Sequence, residues 1–264
     1  MNASREAAPS VTVVMPVFNG ARTLDRSVAS VLDQSFTDLE LLIVDDASSD
    51  ASAALAEGIC ARDPRVRLVR REVCGGPAAA RNTALALARG RFVAFCDADD
   101  LWLPAKLERQ LALAAATGAA LVYCGYHRVD ADFSGSAEDF VPEGRVVHVP
   151  ERASHAALLR RNLIGNLTAV VDQDVTGDIS MPDLPGAEDW ALWLRIVREH
   201  GPAAGIDEPL ALYRAAQTGS HSSDRWRAIR AVWAVLRRQE GLGPLSAAVH
   251  LGTGILAALR KGRI

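Results

Sequence analysis

The stretch FCDADDLW, residues 95–102, sets three carboxylates within four positions directly after an apolar run. The run begins in RFVAFCD (91–97), whose composition is typical of a buried strand. Asp97, Asp99 and Asp100 repel one another at this spacing, so packing alone does not account for them. They are either solvated on a loop or held by a cation or a bound ligand.

Strand-like and helix-like segments alternate outward from this stretch. The β-rich runs lie at 11–18, 39–46, 65–70, 91–97 and 120–126. Helical segments are predicted over 21–34, 50–61, 77–89, 104–117, 154–162 and 187–201, and a further strand over 166–172. This alternation predicts an α/β fold whose mainly parallel sheet is flanked by helices on both faces.

Polar residues follow three of the predicted strands. Asn19 and Gly20 follow the first strand, Asp45 and Asp46 end the second, and the D-x-D stretch ends the fourth. Ligands of such sheets bind just beyond the carboxyl ends of the strands. The sequence therefore predicts one site at this edge of the sheet.

Composition narrows the class of protein. The chain has 264 residues, of which 49% are apolar, enough for a globule with a real core, and its net charge of −3 argues against a nucleic-acid partner. The charge is unevenly distributed. Residues 224–264 contain eight Lys or Arg and two acids, which gives this segment a net charge of +6, so the preceding 223 residues carry −9. This asymmetry predicts a different neighbour for the tail.

The four cysteines show neither C-x-x-C spacing nor a metal-ligand pattern with histidine. They are Cys60, Cys74, Cys96 and Cys124. We expect buried, reduced thiols and a cytoplasmic protein. Residues 1–10 contain no hydrophobic signal segment and are expected to be flexible.

Three ordered segments resemble the family 2 glycosyltransferases of the GT-A fold. They are VVMPVFNGARTLDRSVASVLDQSFTDLELLIVDDASSD (13–50), GGPAAARNTALALARGRFVAFCDADDLWLPAKLERQL (75–111) and EDWALWLR (188–195). A single D-x-D is a weak motif, but the match runs in the same order over about residues 11–215, most of the chain. The resemblance implies a GT-A, Rossmann-like domain with a helical C-terminal tail.

The domain limits follow from this resemblance. Residues 11–215 form the glycosyltransferase domain, with a donor-binding half at 11–128 and an acceptor half at 129–215. Residues 216–264 form a basic helical tail.

The resemblance also implies a metal-assisted transfer from a nucleotide sugar. Asp99 would ligate Mn²⁺ or Mg²⁺ directly, and Asp97 would join it and contact the ribose or sugar of the donor. Such ions take one or two carboxylates plus phosphate oxygens and stabilise a diphosphate leaving group. The alternative is a solvated acidic turn. Asp100 is either a donor contact or an acid at a helix N-terminus.

Donor binding is assigned by resemblance to residues after the first two strands. Asp45 and Asp46 resemble nucleoside-binding acids, with an Asx turn capping the following helix as the alternative. Pro16 and Val17 would shape the base pocket, and Asn19 lies beside them.

Arg81 matches a basic position near the base and diphosphate of the donor. The alternative is a surface arginine on a helix.

The pair Glu188–Asp189 resembles the family's catalytic acids. An acceptor hydroxyl needs a positioned base, which we assign to Asp189, with Glu188 orienting acceptor or base. The alternative is two acids that favour a helix N-terminus. Trp190, Trp193 and Trp102 either stack on a sugar or pack in the core.

Two departures from related enzymes concern residues 217–226. Processive synthases carry Q-x-x-R-W, but SSDRW (222–226) lacks the glutamine, which favours single additions. His221 lies near a position that offers an extra metal or diphosphate contact in related enzymes.

The tail allows three interpretations. Residues 224–238 place Trp226, Ile229, Trp233 and Leu236 on one stripe, and 244–263 is apolar but short for a membrane span. It is a spanning helix, a hairpin packed on the domain, or a basic amphipathic segment on anionic lipid at the inner face of the cell membrane.

The combined prediction is an inverting, metal-dependent transferase. It would move a sugar from a nucleotide donor, by family habit a UDP-sugar, to a saccharide or lipid-linked acceptor in cell-surface polysaccharide or glycolipid synthesis. Two alternatives remain: a sugar-phosphate nucleotidyltransferase, which the absence of a Gly-rich loop at 16–24 disfavours, and a non-catalytic nucleotide-sugar-binding relative. A NAD-binding protein is disfavoured because no G-x-G-x-x-G follows the first strand.

Overall fold

The computed structural model describes residues 8–142, 145–214 and 225–261. The strands are β1 Val11–Val17, β2 Leu39–Asp45, β3 Val66–Arg70, β4 Phe92–Phe95, β5 Leu101–Trp102, β6 Leu121–Val129, β7 Arg145–Val147, β8 Arg152–Ala153, β9 Val170–Asp172 and β10 Ala203–Arg214. The helices are α1 Leu24–Leu32, α2 Ser52–Cys60, α3 Pro77–Leu85, α4 Lys106–Thr117, α5 His155–Arg160, α6 Gln173–Thr176, α7 Glu188–His200, α8 Arg225–Ala234 and α9 Pro244–Lys261. Asn166–Thr168 forms a 3₁₀ turn and Val235–Gln239 a π-helical turn.

The strands of the described residues form one sheet in the order β3-β2-β1-β4-β9-β6-β10-β5. Strands β3, β2, β1 and β4 run parallel, as do β6 and β10. Strand β9 lies antiparallel between β4 and β6, while β7 pairs with β6 and β8 with β10. The predicted α/β fold is confirmed, with antiparallel strands added in its second half.

Both faces of the sheet are buried. Val13 and Met15 of β1 lie in the core cluster covered by α1, α2 and α4. Val14, between them, lies in the cluster covered by α3, α7 and the C-terminal helices. Successive side chains of a strand point to opposite faces, so burial on both sides explains the near-continuous apolar composition of β1, β2 and β4.

The sequence did not predict the long strand β10. Its sequence, AAGIDEPLALYR, contains glycine, proline and two acids, and its pairing with β6 shifts register on both sides of Pro209. Because of these residues and register shifts, the sequence of β10 lacks the alternation of apolar and polar residues that is typical of a strand. The strand predicted over 166–172 is also shorter, because its first half is the 3₁₀ turn.

The C-terminal helices pack against the sheet domain. Val235, Leu236 and Ala247 are buried in the same cluster as Trp193 of α7. The nearly buried carboxylate of Glu240 contacts His155 Nε2 at 2.8 Å. The described part of the tail is thus a hairpin packed on the domain, and none of the helices described is long and apolar enough to cross a membrane.

The cysteine prediction holds only in part. Cys96 and Cys124 are buried and all four thiols are free. Cys74 is exposed, which corrects the expectation of burial. It lies in the loop between β3 and α3, where its Sγ is 3.3 Å from a carboxylate oxygen of Asp46.

Lys106, the first residue of α4, is fully buried. Its ammonium lies 3.8 Å from the centre of the Trp102 ring, and Nζ has no hydrogen-bond partner among the described residues. Burial lowers the pKa of Lys106 from 10.5 to about 8. Its charged form therefore costs the folded state free energy at neutral pH.

We expect Lys106→Met to raise the free energy of unfolding by about 2 kcal/mol at pH 7, because it removes an unpaired buried charge at the cost of one cation–π contact. The gain should shrink as pH rises from about 8 to 10.5, since the unfolded chain there binds more protons than the folded chain. Urea unfolding at pH 7 and pH 10 measures both. The exposed Arg109→Met on the same helix is the control, and an equal gain at both pH values would contradict the assignment.

Candidate active site

The loops that follow β1 and β2 are tied together. Asp46 N donates to Val17 O at 2.8 Å, and Asn19 Oδ1 accepts from Ser49 N at 2.8 Å and from Asp50 N at 3.3 Å. Asn19 and Ala47 have positive φ values of 52° and 60°. Such backbone is costly outside glycine and concentrates at functional sites. The side chain of Asn19, predicted to bind donor, here shapes the loop around that pocket.

The carboxylate of Asp46 is bound by neighbouring residues of the same chain. Its carboxylate accepts from Gly75 N at 3.1 Å and Gly76 N at 2.7 Å, and it forms an ion pair with Arg71. Gly76, at φ 83°, is free to turn its N–H toward the acid. Asp46 therefore holds the loop that opens α3, and its nucleoside contact stays a prediction.

Asp45 differs from its neighbour. It is 2% exposed, and its Oδ1 has no hydrogen-bond partner within the described ranges. Its Oδ2 makes only a long contact, 3.4 Å, with Ser48 N, so the Asx turn is weak. A buried carboxylate oxygen without a partner is costly, which leaves Asp45 as the acid able to accept from a ligand.

Arg81 of α3 joins the two acidic centres of the sequence. Its Nη2 lies 2.6 Å from Asp97 Oδ1, and its Nη1 lies 3.3 Å from Glu188 Oε1. The residue is 6% exposed, so the surface-arginine alternative is wrong. Burial lowers the pKa of Arg81, but Asp97, Glu188 and Asp189 together outweigh burial and raise it. Both acidic centres therefore line one cleft.

The three acids of the D-x-D stretch have separate environments. Asp97 is about one-third exposed and bonds Arg81, while Asp99 is exposed. Neighbouring atoms still desolvate the carboxyl of Asp99, and this desolvation, followed by the charge of Asp97, raises the pKa of Asp99. Asp100 is buried and its Oδ1 accepts from Arg214 N at 3.1 Å. Asp100 thus anchors the end of β10. It is not an acid at a helix N-terminus, because β5 follows it and α4 begins only at Lys106, whereas its donor contact stays a prediction.

The acids present fit a hard divalent cation only in part. Asp97 and Asp99 supply the oxygen ligands that Mg²⁺ and Mn²⁺ prefer. Desolvation and then the charge of Asp97 raise the pKa of Asp99, and a cation would offset both effects. Among the described residues no cluster of three or more His, Cys, Asp or Glu side chains is placed to hold a metal. A metal here would need phosphate oxygens and water to complete its shell.

Arg214 is a site residue that the sequence did not predict. At the end of β10 its Nε donates to Asp99 O at 3.0 Å, and its guanidinium also bonds the carbonyl of Phe133. Its Nη2 is buried without a partner in the described part of the chain. Arg214 fixes the backbone of the D-x-D turn across 115 residues of chain, a separation that sequence spacing does not reveal.

The pair Glu188–Asp189 occupies the first turn of α7. Glu188 Oε2 accepts from Gly186 N at 2.7 Å, and Asp189 Oδ2 lies 3.4 Å from Asn162 Nδ2. Burial, and then the charge of Glu188, raise the pKa of Asp189 to about 6. Asp189 is therefore a carboxylate whose pKa lies near the range of a working general base.

The aromatic residues lie in the core. Trp102 and Trp193 are fully buried, and Trp190 is 5% exposed with its Nε1 bonded to Leu158 O at 2.9 Å. None offers a ring face to a sugar, which corrects the stacking alternative. His221 lies outside the described residues.

Comparison with known proteins identifies the class. Residues 12–164 match the model of glycosyl transferase family 2. The chain is 37% identical over 234 residues to TuaG of Bacillus subtilis, named for teichuronic acid biosynthesis, covering 89% of this chain and 90% of TuaG. It is 33% identical over 227 residues to WfgD of Escherichia coli, covering 86% and 85% of the two chains. The protein is thus a glycosyltransferase, and it belongs to family 2.

Solved structures support the same fold. TarS of S. aureus with UDP-GlcNAc superposes with a TM-score of 0.68 at 19% identity, covering 93% of this chain and 71% of TarS. The mannosyltransferase PcManGT of Pyrobaculum calidifontis, solved with GDP-Man and Mn²⁺, gives 0.65 at 21% identity, covering 97% and 76%. The predicted glycosyltransferase fold is confirmed.

We expect Arg81→Met to lower the free energy of unfolding by about 3 kcal/mol, because it strands two acids that shared one buried cation. Arg70→Met is the matched control, since Arg70 pairs with Glu57 on the surface and should cost less than about 1 kcal/mol. Chemical denaturation at pH 7 measures both. Equal losses would show that Arg81 does not hold the cleft.

Proposed function

We propose that this protein is an inverting, metal-dependent glycosyltransferase that moves a sugar from a UDP-sugar to a hydroxyl of a lipid-linked saccharide. The observation that carries the proposal is the Arg81 guanidinium, bonded to Asp97 on one side and Glu188 on the other. It sets the acids suited to a diphosphate-bound cation and the acids suited to a base in one cleft. Residues 11–128 would bind donor, and 129–215 would bind acceptor.

The donor end is built from residues at the carboxyl ends of β1, β2 and β4. The free oxygen of Asp45 accepts from the nucleoside, beside Pro16 and Val17. Asp99 and Asp97 would hold Mn²⁺ or Mg²⁺ together with the diphosphate. When bound, the cation neutralises the charge that grows on the leaving nucleoside diphosphate. Arg214 keeps the backbone of Asp99 in place.

Asp189 acts at the acceptor end. As the acceptor oxygen bonds to the anomeric carbon, the bond from that carbon to the diphosphate oxygen breaks with its electron pair. Asp189 takes the proton of the acceptor hydroxyl. Glu188, held by Arg81 and Gly186 N, keeps a negative charge beside Asp189 and so helps to raise its pKa toward neutrality. Attack from the face opposite the leaving group inverts the anomeric centre.

The substrate classes follow from relatives. WfgD is named a UDP-Glc:α-D-GlcNAc-diphosphoundecaprenol β-1,3-glucosyltransferase. TarS is solved with UDP-GlcNAc, although at 19% identity it supports the fold alone. A UDP-sugar donor, a lipid-linked acceptor and a role in cell-surface polysaccharide or glycolipid synthesis are the assignments we infer.

A lipid-linked acceptor requires contact with a membrane. On the described tail, Arg237 and Arg238 are exposed, and so are the apolar side chains of Leu245 and Val249. Basic and apolar residues on one segment favour an anionic lipid surface. We infer peripheral association with the cytoplasmic face of the cell membrane.

A thermal-shift panel of nucleotide sugars with and without Mn²⁺ tests the donor end. We expect metal-dependent stabilisation by UDP-sugars in the parent enzyme, lost in Asp99→Asn, because bound ligand stabilises the fold by mass action. Asp183→Asn, on an exposed loop, is the control. Binding without transfer to any lipid-linked acceptor would favour the non-catalytic alternative.

The pH dependence of transfer tests the base. With the pKa of Asp189 at about 6, kcat/KM should rise about tenfold per pH unit below 6 and level off above it, because only the carboxylate accepts a proton. Asp189→Asn should lower kcat at least about 100-fold at pH 7.5 while leaving nucleotide binding intact. A variant with parental kcat would refute the assignment.

A further inference from the structure

A basic loop adjoins the proposed base. Arg160 ends α5, Arg161 and Asn162 follow it, and all three are exposed. Asn162 Nδ2 lies 3.4 Å from Asp189 Oδ2, which places this loop beside the carboxylate. Neither arginine forms an ion pair with any residue that the structure describes, although the cleft next to them is rich in acids.

The helix dipole explains only one of the two charges. Arg160 is in the last turn of α5, where the helix dipole favours a cation. Arg161 lies beyond the helix in extended backbone, with φ −168° and ψ 152°. Arg161 therefore has no helix dipole to favour its charge, and it directly precedes Asn162, which contacts Asp189.

Helix α5 links this loop to the tail. At its start, His155 Nε2 contacts Glu240 Oε2 at 2.8 Å, and at its end the loop contacts Asp189. The helix has six residues and is therefore roughly 9 Å long, and Asn162 lies two residues beyond its end. The arginine pair therefore adjoins the end of this element that contacts Asp189, while the other end contacts the tail, which carries the exposed Arg237 and Arg238.

We propose that Arg160 and Arg161 bind the phosphates that join the acceptor saccharide to its lipid. The proposal rests on the proposed function, which puts the acceptor hydroxyl at Asp189. A sugar is uncharged and needs no arginine pair, whereas a diphosphate is matched by the planar, bidentate donors of guanidinium groups. In this arrangement Asp189 would face the acceptor hydroxyl, the arginine pair would face the diphosphate, and the tail would face the lipid.

The same arginines would also attract anionic phospholipid headgroups. The two sources share phosphate chemistry but differ in what they require: a specific acceptor site binds a short, soluble diphosphate, whereas a headgroup contact needs a charged surface. The experiment therefore uses a soluble probe and a vesicle in separate arms.

The test compares the parent with three double variants. The glutamine pair is Arg160→Gln/Arg161→Gln, and the lysine pair, Arg160→Lys/Arg161→Lys, keeps the positive charge. The control is Arg145→Gln/Arg152→Gln. The control removes the same charge from exposed arginines of β7 and β8. Hexyl diphosphate is titrated by calorimetry in EDTA, so that the metal-dependent donor site does not compete. Vesicles of phosphatidylglycerol are used in a separate sedimentation assay.

We expect the glutamine pair to weaken hexyl diphosphate binding at least about tenfold, since each bond to a charged group contributes more than 1 kcal/mol. The lysine pair should recover part of the loss, and the control should match the parent. With a lipid-linked acceptor, the KM of the glutamine pair should rise while kcat stays near the parental value.

Parental binding of hexyl diphosphate by the glutamine pair would overturn the proposal, as would an equal loss in the control. So would a loss confined to vesicle binding, which would mark the arginines as a headgroup contact. Failure of the proposed function is seen separately, as absence of metal-dependent stabilisation by any nucleotide sugar.

Discussion

One ion-pair bridge organises the cleft: the buried guanidinium of Arg81 between Asp97 and Glu188. Asp97 lies in the turn after β4, and Glu188 begins α7. Together with Asp99 and Asp189, these acids would repel one another without a cation between them. Because Arg81 sits on α3, packed across β1 and β2, the bridge is held by the most buried part of the sheet. It makes one site from segments far apart in the chain.

Eight side-chain atoms of the described residues are buried without a hydrogen-bond partner, and three of them belong to Asp45, Arg81 and Arg214 of the candidate site. Asp45 Oδ1, Arg81 Nε and Arg214 Nη2 are buried without a partner in the described part of the protein. Each costs free energy in the absence of ligand, because a buried polar group has lost water and gained nothing. We propose that these atoms are satisfied when a charged, hydroxyl-rich donor binds. The ammonium group of Lys106 is also buried without a hydrogen-bond partner, but it lies away from the cleft and only lowers the stability of the fold.

The tail takes part in the architecture of the catalytic helix. Glu240, 3% exposed, contacts Arg198 of α7 at 2.8 Å as well as His155 of α5. The helix that presents Asp189 is therefore braced at its C-terminal end by the segment that we infer to meet the membrane. In the proposed function, this arrangement would place the base, the acceptor loop and the lipid-facing surface on neighbouring elements, within reach of an acceptor held at a bilayer.

The sequence by itself determined the alternation of strands and helices and the edge at which Asp45, Asp97 and Asp99 lie. Those features rest on local periodicity and on the rule that parallel strands end together. Family resemblance then pointed to Arg81 and Asp189 before any contact was visible.

Only the tertiary structure decided what each polar group does. It turned Asp46 and Asp100 into anchors of loops, buried Trp190, and brought Arg214 back to the D-x-D turn. Such roles depend on hydrogen bonds between residues separated by up to 115 positions, and on burial, which also raises the pKa of Asp189 to about 6. Spacing along a chain carries no record of either, because both arise when distant segments exclude water from one another.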